Sequence, residues 1–123
     1  MLSVGTVVVG VEDLHRALDF WTQALGYVPK RAVSPDDDFV IIVPAKGEGA
    51  HLALDVSGSP VQRYPRIHLD LYAGDAADQA AEVERLVSLG ATRVDWDRYP
   101  AHADFVVMAD TEGNRFCVID TSG

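Results

Sequence analysis

The feature that most constrains the fold of this 123-residue chain is an internal repeat. Two Leu-Gly pairs, Leu25–Gly26 and Leu89–Gly90, each end a segment in which apolar residues recur at helical spacing. Ala53 lies 27 residues beyond Gly26, and Cys117 lies 27 residues beyond Gly90. A unit of about 60 residues buries little apolar surface alone, so we expect the two copies to pair around one shared core.

Both halves of the chain are interpreted as strand–helix–strand–strand–strand, with three of the four strands placed in the first half. The strands are placed by short apolar runs and by the turn residues between them. They are Val4–Val11, Phe39–Val43 and His51–Val56 in the first half, and Ile67–Tyr72, Thr92–Trp96, Phe105–Ala109 and Arg115–Asp120 in the second. Before the last strand, Asp110–Asn114 has the Asp, Gly and Asn residues of a tight hairpin loop.

Two helices are predicted, at about residues 13 to 25 and 76 to 89. The acids Glu12–Asp13 and Asp75 suit helix N-termini, where backbone N–H groups lack internal partners. The apolar stripes are Leu14, Ala17, Leu18, Trp21 and Leu25 in the first helix, and Ala76, Ala80, Val83, Leu86 and Val87 in the second. Trp21 is therefore predicted to be a core residue.

The turn-rich segment between the halves predicts how the chain is divided. We expect one module at about residues 1–57, a linker at about 58–65 and a second module at about 66–121. At 13.3 kDa, the whole chain, residues 1–123, has the size of a single domain.

The charge balance excludes some partners. Nineteen acidic and ten basic residues give a net charge of −9, which repels phosphate backbones and anionic lipid, so no nucleic acid and no membrane partner is expected. The single cysteine, Cys117, cannot form an internal disulfide, and no signal segment is recognisable at the N-terminus. We therefore expect a cytoplasmic protein.

A series of short motifs runs from about residue 4 to 120, and their order and spacing are more specific than any one of them. The motifs are Val11–Leu14, Phe20–Trp21, Ala24–Tyr27, Arg66–Leu71, Glu84–Thr92 and Ala109–Phe116. Together they resemble the vicinal oxygen chelate superfamily, which includes glyoxalase I, bleomycin-resistance proteins and extradiol dioxygenases.

The resemblance implies an α+β fold of two βαβββ modules, the glyoxalase/bleomycin resistance fold, which curl around a cleft. In metal-dependent members, four inward positions hold a divalent metal, and histidine and glutamate are the usual occupants. Carried onto this chain, those positions are Thr6, Ala53, His68 and Cys117, of which only His68 is a usual occupant. Because Ala53 offers no donor and Thr6 only a neutral hydroxyl, we expect no metal and no other cofactor.

The resemblance and the strand alternation together indicate which side chains line the cleft. The expected ligand-binding residues are Thr6, His51, Asp55, His68, Asp70, Tyr72, Trp96, Tyr99 and Cys117. His68 paired with Asp70 or Asp55 is the candidate for acid–base chemistry, and a residual structural histidine is the alternative. A replacement metal site formed by His51, Asp55, His68 and Asp70 is a further alternative. For Trp96 and Tyr99, stacking on a planar ligand and packing at a dimer interface both stay open.

Three functions from different classes follow. The first is a metal-free small-molecule binding protein of the bleomycin-resistance type, which sequesters or carries a ligand. The second is a glyoxalase-like lyase or isomerase, or a dioxygenase-related enzyme, that uses an unusual metal site or the His68–carboxylate pair. The third is a structural or regulatory dimer with a vestigial cleft. By analogy with the superfamily, we expect a homodimer in each case.

Overall fold

The computed structural model describes residues 1–123, and its strands form two four-stranded sheets. The first compact unit, Met1–Pro60, contains β1 (Thr6–Val11), α1 (Leu14–Leu25), β2 (Tyr27–Pro29), β3 (Phe39–Pro44) and β4 (His51–Val56). The second, Val61–Gly123, contains β5 (Leu69–Gly74), α2 (Ala76–Ser88), β6 (Thr92–Arg93), β7 (Phe105–Ala109) and β8 (Arg115–Asp120). The two predicted βαβββ modules are confirmed, and the boundary between the units falls inside the segment predicted as a linker.

The two sheets have the same topology. Their strand orders are β1-β4-β3-β2 and β5-β8-β7-β6, so the first and last strands of each unit are neighbours. That pair is parallel, and the remaining pairs are antiparallel. Since the helix of each unit covers one face of its sheet, we call the opposite face the open face. In the first unit, Ile42 and Leu54 on the helix side are fully buried, whereas Val8 on the open face is 56% exposed.

Helix α1 begins and ends as its sequence predicts. The Asp13 side chain accepts a hydrogen bond from the backbone N–H of Arg16 at 3.1 Å, which caps the N-terminus. Gly26 adopts φ 68° and its N–H bonds to the Thr22 carbonyl, a left-handed cap that glycine tolerates best. The prediction of Trp21 as a core residue is confirmed, since it is 2% exposed and meets the ring of Phe20 edge-on at 5.0 Å.

Helix α2 has a narrower buried face than its apolar stripe predicts. Asp75 and Asp78 form a reciprocal capping box at its start. Val83 and Leu86 are buried as expected, but Ala76 and Ala80 are exposed and Val87 is 42% exposed, so the predicted stripe is wrong at three positions. At Ala76 and Ala80 the physical reason is Gln79, whose side-chain amide donates to the Asp104 and Val118 carbonyls and holds the sheet side of the first turns.

Neither helix is long and apolar enough to cross a bilayer.

Some strand limits differ from the prediction. Ile67 is 83% exposed and lies outside β5, because the pairing of β5 with β8 starts at Leu69 and Phe116. Strand β6 ends at Arg93 rather than Trp96. Beyond it, the Tyr99 hydroxyl accepts the Val107 N–H at 2.7 Å, a side-chain partner for a backbone donor of β7. The three-residue β2, which ends in a proline, was not located from the sequence.

A register shift interrupts β5 between Tyr72 and Gly74. Gly74 adopts φ 113°, and a Cβ at this position would lie 2.4 Å from the Asp78 carboxylate. Because Gly74 has no side chain, the Asp78 carboxylate has the space that it needs to form the capping box of α2.

Candidate functional site

A histidine and an aspartate form a hydrogen-bonded pair on the open face of the second unit. His68 Nε2 lies 2.9 Å from Asp70 Oδ1. Because residues i and i+2 of an extended chain point to the same side, the two side chains emerge together, as the alternation predicts. The side chains are 42% and 49% exposed, so a molecule in solvent can reach both. An imidazole held by a carboxylate is able to anchor a polar ligand group or to transfer a proton.

The Cys117 thiol lies beside this pair. Cys117 is the cross-strand partner of Asp70, and the ligating atoms of His68, Asp70 and Cys117 all lie within 4.8 Å of one another. Burial, and secondarily the negative charge of Asp70, raise the pKa of the Cys117 thiol from 9.0 to about 11. With an exposure of 8%, Cys117 is a protonated, poorly reactive thiol at neutral pH.

Arg115 occupies the next position on the same face, two residues before Cys117. Its Nη1 donates to the Gly113 carbonyl at 2.8 Å, whereas its Nε is buried without a hydrogen-bond partner. Arg115 is not among the ligand-binding residues predicted from the sequence. The signal that could have found it was the i, i+2 relation to Cys117.

Apolar and aromatic side chains complete the open face of the second unit. Tyr72 is 79% exposed and pairs across the sheet with Ile119, whose other neighbour is Phe105. The Tyr99 ring packs on Phe105 at 5.3 Å between centroids. With its hydroxyl bound to the β7 backbone, Tyr99 is held in a fixed position at the border of this face.

Trp96 belongs to an aromatic cluster that joins the start of the second unit to the loop after β6. The Tyr64 ring lies 5.2 Å from Trp96 between centroids, and the Arg98 guanidinium lies 3.8 Å from the Tyr64 centroid, within cation–π range. The Tyr64 hydroxyl donates to Asp97 at 2.8 Å and, as the largest cause, lowers the pKa of that carboxyl. Trp96 thus packs against Tyr64 within the second unit, and its role as a ligand-binding residue stays a prediction.

The other three predicted site residues lie in the first unit, where the corresponding positions are mostly apolar. Thr6 pairs with His51, and Asp55 pairs with Gly10. Val8 and Ala53 form the cross-strand pair of the first unit that corresponds to Asp70 and Cys117 in the second unit. The hydrogen-bonded histidine–carboxylate pair is thus a feature of the second unit.

The residues do not fit the divalent-metal site that the resemblance implies. The Ala53 methyl offers no donor, and its neighbour Val8 offers none either. In the second unit, Cys117 would have to lose a proton that burial and Asp70 help it to keep. One imidazole, one carboxylate already bonded to it and one thiol are a weak donor set for a labile divalent ion.

The sequence and the fold were compared with those of known proteins. The family profile described as a glyoxalase-like domain matches residues 6–119. A glyoxalase-related enzyme from Fulvimarina pelagi has a TM-score of 0.72 at 20% identity, over 98% of this chain and 89% of that chain. A glyoxalase/bleomycin resistance protein/dioxygenase family enzyme from Burkholderia phytofirmans PsJN has a TM-score of 0.73 at 15% identity, over 97% and 98%.

A lactoylglutathione lyase from Agrobacterium tumefaciens has a TM-score of 0.64 at 19% identity, over 97% of this chain and 93% of that chain. At such identities, these structures show a shared fold. Among curated proteins, none matches this chain.

Proposed function

The chain belongs to the glyoxalase-like domain family, and from its open-face side chains we propose that it is a metal-free small-molecule binding protein. It would sequester or carry its ligand, in the manner of the bleomycin-resistance type. The fold alone does not select this function, because the same fold hosts enzymes and binding proteins. The support for the proposal comes from the side chains of the second unit.

The observation that carries the proposal is the exposed His68–Asp70 pair among apolar neighbours. Binding sites for small molecules are lined mostly by apolar and aromatic groups, with a few polar groups that fix orientation. The pair supplies the polar groups, and Tyr72, Ile119 and Phe105 supply apolar surface on the same sheet face. A ligand with one hydrogen-bonding group and a planar apolar body matches this arrangement.

The metal-free part of the proposal rests on donor chemistry. In the first unit Ala53 offers no donor and Thr6 only a neutral hydroxyl, and in the second unit one Asp70 carboxylate oxygen is already hydrogen-bonded to His68. Elemental analysis of protein purified without chelator should find far less than one metal ion per chain. A stoichiometric divalent ion, lost on His68→Ala, would contradict the proposal and favour a metal enzyme.

Ligand binding is tested by a thermal-shift screen of planar metabolites of either charge, because a ligand that binds only the native state raises the melting temperature. For a hit, His68→Ala should weaken binding about tenfold, the value of one lost hydrogen bond to a charged or polarised group. His15→Ala is the matched control, since His15 is exposed on α1 and contacts only the Pro35 carbonyl. If His68→Ala and His15→Ala bind the hit with equal affinity, His68 is not part of the binding site.

A second candidate function, a lyase or isomerase without metal, is favoured by the 2.9 Å contact of His68 Nε2 with Asp70. Such a contact orients the imidazole and leaves Nδ1 to exchange a proton with a bound molecule. The test is to incubate each screening hit with the protein and to search for a product by mass spectrometry. If the protein turns a hit over, and if Asp70→Asn slows this turnover while binding is retained, the protein is an enzyme rather than a binding protein.

A further inference from the structure

We propose that Arg115 is the anchor for a carboxylate group of the ligand, an inference that rests on the proposed binding function and names its ligand class. The ligand would be a small organic carboxylate. Its anionic end would bind the Arg115 guanidinium, and a second polar group would bind the His68–Asp70 pair.

The first observation is the unpaired Nε of Arg115. It is buried and has no hydrogen-bond partner, although buried polar groups are paired in nine cases of about ten. The ion pairs of the second unit join His68 to Asp70, Arg85 to Glu82 and Arg93 to Glu84. In a chain with 19 acidic and 10 basic residues, Arg115 nevertheless lies without a carboxylate partner.

The second observation is the way the hairpin before β8 holds the guanidinium. Arg115 Nη1 donates to the Gly113 carbonyl at 2.8 Å, and Gly113 adopts φ 90° at the turn. The Asp110 carboxylate is used inside the turn, where it accepts the N–H groups of Glu112 at 2.8 Å and Asn114 at 2.9 Å. The turn thus holds the Arg115 guanidinium by one hydrogen bond, and the carboxylate of the turn, Asp110, is bonded to backbone N–H groups.

One edge of the Arg115 guanidinium has no hydrogen-bond partner. Nη1 is the nitrogen on the side of the Cδ atom, so its bond to Gly113 leaves the edge formed by Nε and Nη2. The two N–H groups of this edge are parallel and match the two oxygens of a carboxylate. Nε is buried in this conformation, but the residue as a whole is only partly buried, so a ligand carboxylate reaches this edge when the terminal torsions of Arg115 rotate and the bond to Gly113 opens.

Arg115 lies on the same sheet face as the His68–Asp70 pair. Arg115 and Cys117 share the open face, and Asp70 lies directly across from Cys117. Neighbouring positions on one face of a sheet are close enough for one small molecule to contact both. A planar carboxylate with a hydroxyl at its far end carries one group for each anchor.

The test compares a carboxylate with its neutral amide. The probes are 4-hydroxybenzoate and 4-hydroxybenzamide, within a set of planar carboxylates that are each paired with the corresponding amide. Dissociation constants are measured by NMR titration, which also follows the side-chain Nε–H resonance of Arg115. We expect the carboxylates to bind about tenfold or more tightly than the amides, and the Nε–H resonance to move downfield only with carboxylates.

The variants separate charge from geometry. Arg115→Gln should abolish the preference for carboxylates, and Arg115→Lys, which keeps the charge without the fork, should retain only part of it. Arg93→Gln is the matched control, because Arg93 is exposed and pairs with Glu84. Circular dichroism verifies folding, and if Arg115→Gln does not fold, the Lys variant and the wild-type Nε–H shift decide.

The outcomes distinguish this inference from the function on which it rests. If amides bind as tightly as carboxylates, or if the preference survives in Arg115→Gln, the anchor is refuted while the binding function stands. If no member of either set binds, and the wider screen of metabolites also gives no thermal shift, the binding function and the anchor are refuted together.

Discussion

Replacing Asp70 by Asn should make the Cys117 thiol more reactive, but only modestly. Burial is the larger cause of the raised pKa of about 11, and the Asp70 charge is the smaller. Removing the smaller cause lowers the pKa by less than half of its distance from 9.0, so the variant's pKa should stay above about 10. The burial of Cys117 between its strand neighbours is unchanged by the substitution.

The magnitude follows from the thiolate fraction. At pH 8, a thiol with a pKa of 11 is about one-thousandth ionised, against about one-tenth for a pKa of 9.0. Since a more basic thiolate is a better nucleophile, about six- to tenfold of this hundredfold deficit is recovered. Cys117 should therefore alkylate at least about tenfold more slowly than a free thiol, and Asp70→Asn should raise the rate by no more than about fourfold.

The assay is the rate of iodoacetamide labelling against pH, followed by mass spectrometry of the intact chain. The urea-unfolded protein gives the reference rate of the same thiol, and Asp95→Asn is the control for removing an exposed carboxylate of the second unit. A labelling midpoint at or below pH 9.0 would refute the burial of Cys117. An equal profile for Asp70→Asn and Asp95→Asn would refute the contact between Asp70 and the thiol.

Four further outcomes are expected. Because the native state keeps the Cys117 proton up to a pKa of about 11, the contribution of Cys117 to stability should be constant below pH 9 and be lost between about pH 9 and 11. Urea titrations at several pH values measure this loss, which should be absent in Cys117→Ser. Gly74→Ala should cost roughly 1–3 kcal/mol of unfolding free energy, since a Cβ at φ 113° meets Asp78, whereas Gly58→Ala, with open space around it, should cost almost nothing. Trp21→Ala should cost about 3–5 kcal/mol by the same titration, because it empties a fully packed position. Light scattering at micromolar concentration should give the mass of two chains, and a monomer would contradict the homodimer proposed by analogy.

The sequence predicts the parts of the fold that depend on local chemistry. Asp13 and Gly26 mark the ends of α1 because capping groups act within one turn. Strand β2 escapes prediction because three residues carry no period, and the end of β6 depends on the Tyr99 hydroxyl, which comes from outside the strand. Likewise, the exposure of Ala80 goes with the bond of its neighbour Gln79 to the β8 backbone, a tertiary contact that helical spacing does not show.

For the candidate site, alternation predicts that His68 and Asp70 emerge on one side of β5, and their 2.9 Å contact agrees with it. Their role as ligand-binding residues stays a prediction. The unpaired Nε of Arg115 could not be foreseen, because it depends on how the hairpin carbonyls are arranged. Sequence reasoning identifies which residues share a face, but the partners that each polar atom has or lacks come from the folded chain.

The strand that is synthesised last in each unit lies in the interior of its sheet. The pairs Thr6–His51 and Leu69–Phe116 join residues 45 and 47 positions apart, and such long-range closure slows folding. While the second unit emerges from the ribosome, β5 has no partner and β7 has only the two-residue β6 until β8 arrives. Its strand edges are therefore open to chaperones or to wrong pairing during translation. A premature stop shortly before β8 would remove the centre of the second sheet and leave all four strands of the first sheet, complete by residue 56, in the chain.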